Sequence, residues 1–194
     1  MEGGGQSGPD ATDMELVARV LAGNLDAYAG LVDRYRDLVY SVVLRIAGNR
    51  ADADDLSQEA LVTAFRALAT FRGDSKFSSW LYRIAVNLAL AHVKRHQRAP
   101  LIHTDDEGRA AGALAAVTQD TPERALLDEE MRLHVRRAIA KLPPHYRAVI
   151  TLYHLEERNY NEVAVILALP MGTVKTHLHR ARALLRRIIL QSLR

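Results

Sequence analysis

Apolar residues in this chain recur at three- and four-residue spacing almost from end to end, with no sustained period-two alternation. A helix gathers positions i, i+3, i+4 and i+7 onto one face, whereas a half-buried strand needs strict alternation. The pattern restricts the chain to an all-α fold, whose helices must bury their apolar stripes against one another.

The spacing predicts a first helix over 14–22 and a second that Asn24 or Asp26 can cap, with Tyr28, Leu31, Val32 and Tyr35 turned inward. That bundle runs through 38–47 until Gly48-Asn49 stops it. A third helix over 52–68 places Leu61, Phe65 and Leu68 at i, i+4 and i+7, predicting one buried stripe. Its early acids, Asp52, Asp54, Asp55 and Glu59, oppose the positive end of the helix dipole. Arg72-Gly73-Asp74-Ser75 reads as a turn, and Ser78 or Ser79 as the cap of a helix over 80–97 that Pro100 ends. Residues 99–121 mix Gly, Ala, Thr and Asp without period and read as a linker.

Pro122 suits the first position of a new helix, whose stripe is Met131, Val135, Ile139 and Leu142. Pro143-Pro144 breaks it, and helices over 146–155, 160–167 and 172–187 follow. The expected architecture is two small helical domains, 13–98 and 122–194, joined by a flexible linker at 99–121 and preceded by a disordered tail at 1–12.

Composition limits the function. At 48% hydrophobic over 194 residues, the chain carries enough apolar material for two compact cores. Absence of cysteine excludes disulfides and thiolate metal sites and fits a reducing cytoplasm. No apolar run reaches membrane-span length, and the Gly-rich polar start lacks the features of a signal peptide, so a soluble protein without membrane insertion is expected. Net charge is only +3 but unevenly spread. Residues 72–98 hold six Lys/Arg against one Asp, and 171–194 six with no acid, whereas 99–130 hold eight acids against two Arg. Two basic blocks around an acidic stretch suit two nucleic-acid contacts joined by a tether, although solvated helix faces would also produce such blocks.

The C-terminal helix pair is the sharpest local signal. Val163, Ile166 and Leu167 give one helix an apolar face, and small Ala164 admits a close neighbour. After a short turn, Val174, Leu178, Ala181 and Leu185 share a face, leaving Thr173, Lys175, Thr176, His177, His179, Arg180 and Arg182 outside. This is the layout of a helix-turn-helix, whose second helix enters the major groove. A second signal lies at 71–83, where four of the eleven aromatics fall within twelve residues beside basic ones. Aromatic faces and cations suit unstacked bases and their phosphates, and Asn87 offers both donor and acceptor to a base edge. Phe77 and Trp80 could equally serve the core. The third signal is the acidic helix start with Gln58 and Arg66, which could dock a protein or simply compensate the dipole.

Taken together, Asp54-Asp55-Leu56-Ser57-Gln58-Glu59-Ala60, the run from Phe71 through Ser79-Trp80-Leu81-Tyr82-Arg83 to Asn87, Leu142-Pro143 and Gly172-Thr173-Val174-Lys175 resemble the extracytoplasmic-function group of the bacterial sigma-70 family. The resemblance implies that the N-terminal domain binds and helps melt the −10 promoter element. Its contacts would be Phe71, Lys76, Ser78, Ser79, Trp80, Arg83, Asn87, Lys94, Arg95 and Arg98, with a flipped non-template base captured by the 71–79 loop and Asn87. It implies that Asp54, Asp55, Gln58 and Glu59 dock on core RNA polymerase, and that Thr173, Lys175, Thr176, His177, His179, Arg180 and Arg182 read the −35 element as duplex. An anti-sigma factor is an implied partner; no cofactor and no small-molecule substrate are. Two positions depart from the family pattern: His177 stands where a basic residue is common, and Ala168 where the turn often has Gly.

A conventional helix-turn-helix repressor or activator would explain the C-terminal half but needs neither the aromatic-basic loop nor the acidic helix. An enzyme finds little support. His92 and His96 have the i, i+4 spacing of metal ligands but no intervening Glu to act as a base, so they read as facing nucleic acid or solvent. Asp52, Asp54 and Asp55 lack any accompanying phosphate-binding loop.

Overall fold

The computed structural model describes residues 11–98 and 122–192. The expected linker, most of the tail and the side chain of Arg98 lie outside the described residues. Among those described there is no strand; eight α-helices, one 3-10 turn and one π turn make up the fold.

Helix α1 (Asp13–Leu21) starts under a capping box. Thr12 accepts from the Glu15 backbone N–H, and the Glu15 carboxylate accepts from that of Thr12 at 2.7 Å. Ala11 and Thr12, assigned above to the tail, belong to the fold, and Arg34 donates to the Ala11 carbonyl. Helix α2 (Asp26–Ala47) ends at Gly48, whose φ of 94° is a left-handed cap that only glycine adopts without strain. Asn49 caps α3 (Arg50–Ala67) by accepting from the Asp52 N–H at 2.8 Å. Helix α4 (Phe77–Arg98) begins three residues earlier than the spacing predicted. Ser78 and Ser79 therefore sit inside its first turn, and both are buried.

In the C-terminal half, α5 (Pro122–Ala140) runs to the Pro-Pro break and α6 (Pro144–Ile150) follows. The expected helix over 146–155 does not run through: Thr151–Leu155 widen into a π turn, closed by the Glu156 N–H on the Thr151 carbonyl at 2.9 Å. Helix α7 (Tyr160–Leu167) carries its own capping box, Asn159 with Glu162, and α8 (Met171–Ser192) is the last described helix. Ala168 occupies the turn between them in the left-handed region, φ 51°.

The two halves pack together. Helix α4 lies against α2 and α3 of its own half and against α7 and α6 of the other. One apolar core joins Val42, Ile46, Phe77, Leu81 and Val86 to Leu152, Val163 and Ile166. A smaller core of Ile139, Leu142, Val149, Ile150, Leu178 and Ala181 holds α5, α6 and α8 together. Being covered by four helices, α4 buries Phe77, Ser78, Ser79, Leu81, Tyr82, Ala85, Val86, Ala89 and Val93. At about 100° per residue these span more than half its circumference, well beyond a single-sided stripe.

Two expected stripe members are exposed instead. Phe65 retains 39% of its surface and packs only edge-on against Tyr28, 4.9 Å between ring centres, while Met131 is 57% exposed. Helical spacing puts residues on one face, but it does not say how far along that face a partner helix reaches.

Candidate nucleic-acid interface

With so much of α4 covered, its remaining surface is a narrow strip. Lys76, just before the helix, and Trp80, Arg83, Asn87 and Lys94 fall at i, i+4, i+7, i+11 and i+18, so they share one side. Arg83, Asn87 and Lys94 are exposed and Trp80 is half-buried. Arg95 is exposed on a different face. Phe71, Ser78 and Ser79 lie behind this strip, at 8%, 9% and 3% exposure. The aromatic cluster expected from sequence is real and mostly internal: Phe71, Phe77 and Trp80 are mutually 5.4–5.6 Å apart, and Tyr35 joins at 5.5 Å from Phe77. Only Trp80 presents much of its ring. Beside it, Ser75, Lys76 and Ser78 line a groove of about 490 Å³ with Asp13, Met14 and Tyr35. Lys76 itself reaches across to Glu162 of α7, 2.9 Å away, and this contact holds the Glu162 carboxyl below its ordinary value of 4.5.

Helix α8 offers a second polar face, opposite the buried Val174, Leu178 and Ala181. Thr176, His179 and Arg180 stand at its centre, all exposed, with the Thr176 hydroxyl donating to the Gly172 carbonyl at 2.9 Å. The flanks rest on aromatic rings. Lys175 lies over Tyr160 at 5.8 Å and Arg182 over Tyr153 at 5.6 Å, the two rings being 4.8 Å apart. Arg182 also donates through Nε to His154 Nε2 at 3.1 Å. On the other flank half-buried His177 lies 5.4 Å from His145 and 5.6 Å from Tyr146, with Thr173 half-buried on the same side. Burial, then the neighbouring His177, pushes the His145 pKa down; burial, then the Arg182 charge, does the same at His154. The sequence reading named the cations but not the rings beneath them. The one signal available was that Tyr153 and Tyr160 are seven apart, as are Lys175 and Arg182.

A third face lies on α3. Its buried side is Ala53, Leu56, Ser57, Ala60 and Ala64, which leaves Asp54, Asp55, Gln58 and Glu59 exposed, followed by Val62, Phe65 and Arg66. Asp52 points elsewhere. Its carboxylate is 2.8 Å from His92 Nε2, and His96 stacks on His92 with ring centres 4.0 Å apart. Burial would raise the Asp52 pKa, but Asn49 and His92 outweigh it and hold the carboxyl below its ordinary value. Half-buried His92 is thus a structural partner of Asp52 rather than a solvent- or nucleic-acid-facing group, and among the described residues no three His, Asp or Glu side chains gather as metal ligands. Nor is any described helix long and apolar enough to cross a membrane.

Comparison with known proteins bears on these faces. Residues 31–99 match the Sigma-70 region 2 family and residues 132–185 the Sigma-70 region 4 family. The chain is 42% identical over 176 residues to the ECF RNA polymerase sigma-E factor of Escherichia coli K12, covering 88% of this chain and 91% of that one. The solved structure of CnrH in complex with the cytosolic domain of CnrY superposes with TM-score 0.63 at 27% identity, covering 91% of this chain and 96% of that one. That of the sigma factor RpoE with the anti-sigma factor NepR from Bartonella quintana does so with TM-score 0.62, covering 84% and 96%; at 18% identity it shows a shared fold. An acidic helix, an aromatic-basic helix and a helix-turn-helix in this order, matched along nearly the whole chain, exclude the lone helix-turn-helix regulator: the protein belongs to the extracytoplasmic-function group of the sigma-70 family of RNA polymerase sigma factors.

Proposed function

We propose that this chain brings bacterial core RNA polymerase to its promoters and assists strand separation there, contributing recognition while polymerisation belongs to the core enzyme. The observation that carries this reading is the presence of three separate polar faces, on α3, α4 and α8, each backed by a buried side of its helix. In this reading the N-terminal domain, 13–98, serves the −10 element. Lys76, Arg83, Lys94, Arg95 and Arg98 neutralise backbone phosphates, Trp80 stacks, and Asn87 reads a base edge, while Ser78 lines the groove that takes the unstacked base and buried Phe71 and Ser79 support it from behind. The C-terminal domain, 122–194, lays α8 in the major groove at the −35 element. Thr176, His179 and Arg180 then point at bases, while Lys175, Arg182, Thr173 and His177 sit at the groove edges. Asp54, Asp55, Gln58 and Glu59 dock on the polymerase. An anti-sigma factor, as found with the Bartonella quintana protein, is an expected partner, and the cytoplasm the expected compartment.

Co-elution with purified core RNA polymerase tests this. The wild type is expected to bind one to one, and an Asp55→Lys, Gln58→Ala double variant to bind about a hundredfold more weakly, since reversing a charge at an interface centre removes a dominant contact. Equal binding by the variant moves the docking face elsewhere. Failure of the wild type to bind core, with tight binding to duplex DNA alone, refutes the polymerase-subunit reading.

A further inference from the structure

We propose that Glu156 is the latch of an autoinhibited, closed arrangement in which the C-terminal half clasps α4 and takes Lys76 out of use. The inference rests on the reading above only in assigning Lys76 to DNA.

Glu156 follows the π turn, and its side chain is only 5% exposed. Every partner of its carboxylate belongs to the other half. Oε1 accepts from Arg45 and from the Ser41 hydroxyl, the latter at 3.3 Å, and Oε2 accepts from the Tyr82 hydroxyl at 2.9 Å. Burial first, then the Glu156 charge, pushes the Tyr82 phenol up to about 12, so it remains a donor at any physiological pH. The next residue, Glu157, has φ 52°, in the left-handed region that non-glycine residues adopt at a cost. This reversal lets both flanking side chains meet Tyr82, Glu156 at the hydroxyl and Arg158 over the ring at 4.7 Å. Arg147 crosses as well, donating to the Ile46 carbonyl in the last turn of α2 at 2.7 Å, where the helix dipole is negative. At the far end Glu162 holds the Lys76 ammonium as a phosphate oxygen would.

A desolvated ion pair contributes little net stability compared with apolar packing, yet removing one partner is costly. It therefore selects one arrangement while leaving it close in energy to alternatives, which is what a latch that must release requires. On opening, Glu156, Ser41, Arg45 and Tyr82 regain water, and Lys76, 73% exposed but paired with Glu162 when closed, is released for DNA.

The chain lacks cysteine, so labels can be placed uniquely at Ala69→Cys and Ala140→Cys, two exposed sites outside all three faces. Single-molecule energy transfer between them should give one short-distance population in the free protein. Glu156→Arg should shift the open-to-closed ratio by about a hundredfold, the scale for stranding a buried charge. The swap Arg45→Glu, Glu156→Arg should restore the short distance, which separates opening from misfolding. A second arm measures binding to a random-sequence single-stranded oligonucleotide. Arg45→Glu should bind several-fold more tightly than wild type although it makes the chain more acidic, and the swap should return to the wild-type value. A short distance that persists in Glu156→Arg, an open wild type, or a swap that stays open overturns the latch. Equal or weaker DNA binding by Arg45→Glu overturns the autoinhibition. The distance measurement needs neither DNA nor polymerase, so it decides the latch even where binding to core fails.

Discussion

Helices α4 and α8 are both 22 residues long, amphipathic and basic, yet the fold uses them differently. Four helices cover α4, and Trp80, Arg83, Asn87 and Lys94 are left on one strip. Helix α8 is buried at Val174, Leu178 and Ala181 only, so most of its circumference projects, and its flanking cations are steadied by rings of its own half. The contrast fits the proposed roles of the two helices toward nucleic acid. A helix that enters a groove needs a protruding cylinder with preset side chains. A surface that receives single-stranded bases needs a rigid floor, and dense burial on the opposite side supplies one.

The largest effect should come from the two cores. Leu81→Ala on α4 and Leu178→Ala on α8 remove side chains that are 2% and 1% exposed, and each should lower unfolding stability by about 2–5 kcal/mol. Urea titration followed by circular dichroism measures both. Because α4 belongs to the core that joins the halves, Leu81→Ala should move the entire transition. If Leu178→Ala instead splits it, the smaller core is an independent unit and the contrast sharpens.

A smaller effect is expected between α7 and α8. Ala168 is held at φ 51°, and glycine is the residue at ease there, so Ala168→Gly should raise stability by about 1 kcal/mol while leaving the helix-turn-helix unchanged. A thermal melt checks this; lower stability would mean that the alanine methyl packs better than the backbone is strained.

The smallest is a pH dependence that separates the halves. His145 and His154 beside α8 have depressed pKa values, so between their folded values and the ordinary 6.5 the unfolded chain binds more protons than the folded one. Their contribution is complete above 6.5 and is lost as pH falls below it. The depressed carboxyls Asp52 and Glu162 contribute fully above their ordinary values, 3.8 and 4.5, and lose that contribution only as pH falls through their lower folded values. Mild acidification toward pH 5 should therefore loosen the α6–α8 region before the α3 capping site, visible as earlier loss of amide protection there. Simultaneous loss would erase the distinction.

Much of the candidate interface was legible in sequence because its signals are local. Apolar period placed α7 at 160–167, and the polar face of α8 emerged from counting positions around a helix, whereas the Asn159–Glu162 capping box came from the structure. Phe65 and Met131 show the limit of that method: spacing assigned them to buried stripes, but no helix extends far enough to cover them. His92 was equally unreadable, since its partner Asp52 lies on another helix.

By itself the sequence determined the helices, the helix-turn-helix, the aromatic-basic helix and the family, because each helix is written in the spacing of residues close in the chain and the family in several such local motifs in order. Tertiary structure alone decided the closed packing, the wide burial of α4 and the surroundings of Glu156, whose partners Ser41, Arg45 and Tyr82 lie 74 to 115 residues away. A carboxylate in a sequence reads as solvated by default, and only a fold that desolvates it while supplying donors from a distant segment turns it into a tie between two halves.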